Sequence, residues 1–432
     1  MMPDKMKRRS WLLLSLFAAA TSWLYVHRLL QPWSETVRLK KGLVIAQMGD
    51  LYAPWVGTRE LLLHRRNPYS PEVSHEIQLA FYGHAINQKL EPGVEPVNEQ
   101  RFVYPVYTAF LMAPFARADF TSVHRWAPFI LAAFSALTVL FYLEVSHWRP
   151  RWETVTAAVL LTLSTPQIVQ GMRLQQFALV VGCLLAAGAW CVARNHLASA
   201  GVVLALATVK PQMALLPLCW FGIWAAGNWS RRWRLPVVFF ISLAALIGAG
   251  ELILPGWIGY FLAGLNAYRR YFPTSSLLRL ALGDSLGEVL GGVIVLALFA
   301  LAWRDRKELA GSYKFASLLA AFLMGAILAL PLFTPFNQVL LILPALLLIR
   351  DWQTLPRISG FIFAGVIGWP WIVSAILLLL PTKIASSGQI PLLPAFLVSF
   401  VPLFLPLLFM TRRRSPGTER SATYASSPST GA

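Results

Sequence analysis

The chain has 432 residues, of which 57% are hydrophobic and only 13% are charged. Apolar runs of about 15 to 25 residues recur along it, which excludes an ordinary soluble protein and predicts an all-α polytopic membrane protein. The formal net charge is +18. Because the basic residues form short clusters between apolar runs, they indicate the inner side of a membrane rather than a nucleic-acid partner.

The apolar runs predict about twelve membrane crossings, and an even number places both termini on the same side. Basic clusters near both termini identify this side as cytoplasmic. We expect one integral domain over residues 1–410 in the plasma (inner) membrane, with a retained first helix rather than a signal peptide, and a disordered cytoplasmic tail over 411–432. The predicted crossings are 11–30, 126–145, 154–169, 176–194, 197–209, 211–227, 235–254, 286–303, 314–332, 337–350, 358–380 and 391–410.

The predicted first outer loop, residues 31–125, contains two amphipathic helices of the kind that lie on a membrane surface. The first extends from Leu51 to Leu63, with Thr58 and Glu60 facing away from its apolar side. The second follows the N-cap residue Ser70 and a proline, and it ends at Gly83. The charged residues interpreted as anchors at the lipid headgroups are Arg59, His64, Arg65 and Arg66.

Two segments leave the topology open. Residues 104–120 are apolar enough to be a crossing, in which case 197–227 would be a single pass. However, the prolines and charges within 104–120 suit a juxtamembrane or re-entrant helix better, and Lys210-Pro211 would be costly in the middle of one long span. We therefore favour two short helices that meet at Lys210 and bring this cation into the membrane from the outer side.

Polar residues at the predicted outer ends of the helices form a candidate site. Asp50 has no Lys or Arg near it in sequence between 42 and 58. A carboxylate near a reacting hydroxyl suits a general base, although an interfacial carboxylate is about as often simply solvated. Together, cations and amides from several spans suit a phosphate or a sugar. For each residue alone, capping a helix or binding water is the better explanation, and for Arg269 and Arg270 contact with lipid headgroups explains the pair equally well. These binding candidates are Tyr69, Arg173, Gln175, Gln176, Lys210, Gln212, Arg269, Arg270, Asn337 and Gln338.

No motif for a metal, a nucleotide or a covalent nucleophile is visible. His64, His75 and His84 lack the spacing of metal ligands, and the three cysteines lie in apolar segments without a C-x-x-C pair. No Walker motif occurs, and no arrangement of serine, histidine and aspartate suggests a catalytic triad. We therefore expect neither a metal nor another cofactor.

Five segments, taken in order, resemble glycosyltransferase family 87. This family comprises C-type membrane glycosyltransferases that use polyprenyl-phosphate-linked sugars, typically mannose, on the outer side of the membrane. The resemblance extends over about residues 40–350. The segments are "GDLYAPWVGTRELLLHRRNPYSPE", "FVYPVYTAFLMAPF", "QGMRLQQFALVVGCLLAAG", "AGVVLALATVKPQMALLPL" and "PLFTPFNQVLLILPALLL".

The resemblance implies a C-type fold and assigns roles to particular residues. Asp50 matches the family's catalytic aspartate in the first outer loop, and Lys210-Pro211 matches a lysine–proline pair. Gln170 to Gln175 match an amide-rich segment more loosely. Some members carry a histidine near the position of Asn337 and Gln338, where this chain has none. Amides and cations would then hold the donor phosphate, or the donor would differ.

Residues and resemblance together predict a hexosyltransferase. It would move a sugar such as mannose from a polyprenyl-phosphate donor to a hydroxyl of a lipid or glycan acceptor at the outer face, with inversion and without a metal, as a monomer among membrane lipids. The alternative is a flippase or transporter of lipid-linked sugars, whose charged residues would line a path through the bilayer. A non-catalytic membrane scaffold would leave Asp50 and Lys210 far apart.

Overall fold

The computed structural model describes residues 4–30, 32, 36, 48–83, 99–271, 275–331, 334–351, 372, 376 and 379. These residues form helices and no strand, which confirms the predicted all-α class. The helices are α1 (Asp4–Tyr25), α2 (Tyr52–Leu63), α3 (Pro71–Tyr82), α4 (Thr108–Met112), α5 (Phe120–Val145), α6 (Trp152–Ser164), α7 (Pro166–Arg173), α8 (Phe177–Ala193), α9 (Leu197–Leu206), α10 (Pro211–Ala226), α11 (Trp229–Arg232), α12 (Arg234–Ile253), α13 (Trp257–Tyr271), α14 (Leu277–Leu282), α15 (Asp284–Arg304), α16 (Tyr313–Ala329) and α17 (Ile342–Arg350).

Within the described part of the chain, four helices are long and apolar enough to cross a membrane. The α6–α7 pair would be a fifth span, but it bends by 61° at Thr165-Pro166, because proline cannot continue a straight helix and disfavours helical geometry in the residue before it. The crossing predicted at 154–169 thus corresponds to a helix pair broken at Thr165-Pro166, and it stays a prediction. The four long spans are Ser10–Leu29, Phe120–Val145, Arg234–Ile253 and Asp284–Arg304.

Shorter apolar helices occupy most of the other predicted crossings. The chain is thus a membrane protein, while the number of twelve crossings stays a prediction. The crossing at 391–410, most of the crossing at 358–380 and the tail at 411–432 lie outside the described residues.

Residues 104–120 contain no helix long enough to cross a membrane. Their α-helix, α4, has 5 residues, which rise only about 7.5 Å against a hydrocarbon core of about 30 Å. Asp119 then caps the next helix, since its carboxylate accepts a hydrogen bond from Ser122 N at 3.2 Å. This cap starts α5 at Phe120, earlier than the predicted 126.

The chain reverses direction at Lys210-Pro211. Gly201 in α9 lies against Leu235 near the start of α12. Near the far end of α10, the carbonyl of Trp224 accepts a 2.6 Å hydrogen bond from Arg232, one turn before Leu235. Both helices therefore extend from Lys210 back to the same segment, which agrees with the favoured pair of short helices.

One end of the bundle gathers basic loops, and we call it the basic end. Arg194 pairs with Glu144 at 2.9 Å, and Arg350 donates to the carbonyl of Ser146. Gly311 lies against His147 and Ala193. The basic end consists of residues 144–151, 193–196, 226–234, 304–313 and 350–351.

The opposite end, which we call the Asp50 end, contains the described part of the loop over residues 31–125 that the sequence predicts to be outer. Asp50 N donates to the carbonyl of Leu174 at 2.7 Å. The hydroxyl of Tyr107 donates to the carbonyl of Thr208 at 3.1 Å. The turn Val26–Leu30 that follows α1 contacts α7, so α1 begins at the basic end and approaches the Asp50 end.

The two amphipathic helices predicted in the loop over residues 31–125 are present as α2 and α3. Ser70 caps α3 by accepting from Val73 N, and Gly83 ends it at φ 73°, which confirms the predicted signals. Thr58 and Glu60, predicted to face away from the apolar side, are nevertheless both buried. Helix α2 lies between two apolar clusters, one containing Leu61 and the other containing Val56, and is therefore covered on both sides.

The charges next to α2 act within the protein. Arg66 pairs with Glu60 at 2.9 Å and with Glu76 at 2.7 Å, which ties α2 to α3. Arg59 lies over the ring of Trp55. The interpretation of these arginines as simple headgroup anchors therefore does not describe Arg66.

Arg232 holds the basic end together. Its buried guanidinium donates to the carbonyls of Trp224 at 2.6 Å, Arg306 at 2.8 Å and Glu308 at 2.7 Å. It also lies 3.9 Å from the centroid of the Trp224 ring. Because buried carbonyls are costly to leave unpaired, this side chain fastens the end of α10 to the turn before α16.

We predict that Arg232→Met lowers the free energy of unfolding by about 2–4 kcal/mol, because it removes the side-chain donor from the carbonyls of Trp224 and Arg306, while that of Glu308 keeps its bond from Trp224 Nε1. The measurement is the thermal unfolding midpoint of the purified protein in detergent. Arg231→Met is the matched control, since Arg231 is exposed on the same short helix. Equal effects of the two substitutions would contradict the role of Arg232.

Candidate active site

Asp50 is fixed to the turn that joins α7 to α8. Its backbone N donates to the carbonyl of Leu174 at 2.7 Å. Its carboxylate oxygen Oδ2 accepts a hydrogen bond from the amide Nε2 of Gln176, the N-cap residue of α8. Both the backbone and the charged group of Asp50 are thus set by the same turn.

Gln175 occupies the middle of this turn, where its side chain lies against Gly49 and its amide nitrogen contacts His124. It is 1% exposed, and its Nε2 lies 2.8 Å from the carbonyl oxygen and 2.9 Å from the Nδ1 of His124. Its φ of 56° is in the left-handed region, which is uncommon for a residue with a side chain. Although the sequence predicts Gln175 as a substrate contact, its amide donor is directed to α5.

Lys210 is a buried cation at the reversal between α9 and α10. It is 7% exposed. Its Nζ donates to Asn337 Oδ1 at 3.0 Å and lies 4.9 Å from the centroid of the Phe336 ring. The carboxylate of Asp50 is near enough to stabilise its positive charge. A buried ammonium requires such partners, because removing a charge from water is costly.

Tyr104 lies near Asp50, although the sequence does not predict it as a site residue. Burial raises the pKa of its phenol above the ordinary value, and the nearby carboxylate of Asp50 and phenol of Tyr268 raise it further. The phenol therefore stays protonated and can donate a hydrogen bond. Tyr104 belongs to the segment "FVYPVY" that carries the family resemblance, but nothing in that pattern distinguishes its role from packing.

Asn337 and Gln338 are both buried in the 3-10 turn Pro335–Leu341. Asn337 holds Lys210, as described above. Both amide atoms of Gln338 are buried without a hydrogen-bond partner among the described residues. An amide in this state is expensive in a folded protein unless a ligand or water completes its hydrogen bonds.

The remaining predicted residues are less central. Tyr69 donates its hydroxyl to the carbonyl of Tyr104 at 2.6 Å and so supports that segment. Arg173 is half-buried and donates to Gln170 at 3.1 Å, while Gln212 is exposed. Arg269 and Arg270 lie in the last turn of α13, next to Tyr268, and their side chains are outside the described part of the structure.

A model of glycosyltransferase family 87 matches residues 102–335, more than half of the chain. The match includes Lys210, Gln176 and Tyr104, whereas Asp50 and Asn337 lie outside it. No curated protein and no solved structure matches the chain significantly. The extent of the family match is enough to assign the chain: it belongs to glycosyltransferase family 87 and is a glycosyltransferase.

Proposed function

We propose that the protein transfers a hexose such as mannose from a polyprenyl-phosphate donor to a hydroxyl of a lipid or glycan acceptor. The observation that carries this proposal is the pair at the Asp50 end. A fixed carboxylate, Asp50, lies near a buried ammonium, Lys210, which an amide holds in place. The carboxylate suits the removal of a proton, and the ammonium suits the binding of a phosphate.

In the proposed reaction, Asp50 accepts the proton of the acceptor hydroxyl while the hydroxyl oxygen bonds to the anomeric carbon of the sugar. The bond from that carbon to the phosphate oxygen breaks, and the polyprenyl phosphate leaves with the electron pair. Lys210 stabilises the charge on the leaving phosphate. A single displacement of this kind inverts the anomeric centre.

Amides complete the proposed donor site. Gln338 offers an NH₂ group that donates and a carbonyl oxygen that accepts, which together match sugar hydroxyls that both give and accept hydrogen bonds. Asn337 occupies the region where some members of the family carry a histidine, and here it orients Lys210 instead. This arrangement supports phosphate binding by a cation and amides in place of a histidine.

The proximity of Asp50 and Lys210 argues against a non-catalytic scaffold, in which the two charges are expected to lie far apart. It also distinguishes the protein from a flippase, whose charged residues would follow a path across the bilayer. The described helices between the two ends pack through apolar side chains, such as Trp220 against Phe315 and Phe322. These observations favour transfer at one end of the bundle.

We further propose that the Asp50 end faces the outer side and the basic end the cytoplasm. The basic end consists of short loops rich in arginine, and α1 begins there with the Lys and Arg residues of the N-terminus. Short loops rich in Lys and Arg are retained inside. The polyprenyl-phosphate donor would then be used at the periplasmic or outer face.

Asp50→Asn is expected to lower kcat by about 10²- to 10⁴-fold, because asparagine has similar shape but cannot accept the proton. The assay follows sugar transfer by the purified protein in proteoliposomes, with polyprenyl-phosphate-mannose as donor and membrane lipid extract as acceptor. Asp284→Asn, which alters an exposed carboxylate paired with Arg279, is the control. Activity near the wild-type level in Asp50→Asn would refute the role of Asp50.

Lys210→Met and Gln338→Leu are expected to raise KM for the donor by about tenfold or more, because each removes a hydrogen-bonding group from the proposed donor site. The same proteoliposome assay, run over a range of donor concentrations, measures this change. Lys314→Met removes a cation at the basic end that pairs with Asp305 and should leave KM unchanged. An unaltered KM in both site variants would exclude them from donor binding.

The orientation is tested by labelling single cysteines in intact cells with a membrane-impermeant maleimide, after the three natural cysteines are replaced by alanine. Glu72→Cys, exposed on α3, should react in intact cells, because the Asp50 end is outside. Ser230→Cys, exposed on α11, should react only after permeabilisation. The opposite pattern would reverse the proposed orientation.

A further inference from the structure

We propose that Gln175 and His124 form a bracket that positions the Asp50 carboxylate, so that Gln175 is a positioning residue and not a contact of the substrate. By the bracket we mean the hydrogen-bonded pair of these two side chains together with the backbone carbonyl of His124. The inference rests on the proposed role of Asp50 in sugar transfer and adds a residue that acts through it.

Three consecutive residues of the α7–α8 turn each make a different contact. Leu174 accepts the backbone N–H of Asp50 at 2.7 Å, and Gln176 donates its amide to the Asp50 carboxylate. Gln175, between them, is bound to His124 in α5. The bracket therefore fixes the middle of the turn whose two flanking residues hold Asp50.

The chemistry of the bracket determines which atoms face each other. The carbonyl oxygen of His124 can only accept, so the Gln175 amide must present its NH₂ group. The same nitrogen lies 2.9 Å from His124 Nδ1, which must then be the unprotonated ring nitrogen. This leaves the Gln175 Oε1 on the far side, where it is buried and has no hydrogen-bond partner in the described part of the protein.

The backbone of the turn depends on this anchor. Gln175 has a φ of 56°, a left-handed conformation that a residue with a side chain adopts only when its surroundings impose it. Gly49 lies against the turn so closely that a Cβ there would be 2.9 Å from Leu174 O and 3.0 Å from Gln175 Cγ. A substitution at either position would shift Asp50 without changing any group that reacts.

The main test is Gln175→Gly, which removes the bracket but suits the left-handed backbone. We expect kcat to fall by about 10- to 100-fold, since small displacements of a catalytic group have effects of this size. KM for polyprenyl-phosphate-mannose should stay within about threefold of the wild type, because no substrate contact is lost. The control is Asn195→Gly, which changes an exposed left-handed residue at the basic end and should retain full activity.

Two further variants separate positioning from general loss of structure. His124→Phe keeps a ring next to Phe120 but removes the Nδ1 acceptor. The falls in kcat caused by His124→Phe and by Gln175→Gly should not add in the double variant, because both substitutions break the same bracket. If Gln175→Gly does not fold, His124→Phe alone is the main test, with the same expected fall in kcat and an unchanged KM.

The outcomes distinguish this inference from the proposed function. A raised KM with unchanged kcat in Gln175→Gly would make Gln175 a substrate contact and overturn the bracket. So would full activity in Gln175→Gly together with an inactive Asp50→Asn, which would leave the proposed function intact. An active Asp50→Asn would overturn both proposals.

Discussion

A buried ammonium must have compensating partners, and the Asp50 end of the bundle is organised around this requirement at Lys210. The chain reverses at Lys210-Pro211, which places the cation at the meeting point of two short helices. Asn337 accepts its hydrogen bond, and the nearby carboxylate of Asp50 stabilises its charge. The same carboxylate is tied to the α7–α8 turn. Segments distant in sequence are therefore joined by one electrostatic constraint.

The two ends of the bundle use polar groups differently. At the basic end, the guanidinium of Arg232 donates its hydrogen bonds to backbone carbonyls and lies over the ring of Trp224. All of these contacts are within the protein. At the Asp50 end, Gln338 has an amide whose bonds the described residues do not complete. A closed network serves stability, whereas an incomplete one is suited to a ligand. The incomplete hydrogen bonds of Gln338, so close to Lys210 and Asn337, support a reaction site at the Asp50 end.

Local signals in the sequence were accurate where one residue sets the backbone. Ser70, Pro71 and Gly83 predicted the bounds of α3, and Lys210-Pro211 predicted the break between α9 and α10, because caps and prolines act on their immediate neighbours. Burial that depends on what lies on the other side of a helix was not predicted. Glu60 is buried although it lies off the apolar face, since α2 is covered by a second cluster of side chains.

The sequence by itself determined that this is a helical membrane protein, and it singled out Asp50 as a carboxylate with no Lys or Arg nearby in sequence and Lys210 as a cation at a helix break. Apolar run length and residue chemistry are enough for both conclusions, because they depend on the solvent and not on neighbours. Only the tertiary structure decided that Gln176 holds Asp50, that Gln175 turns to His124 and that Tyr104 joins the site. Each of these contacts joins residues far apart in the chain or depends on the direction of a side chain, which helix packing alone fixes.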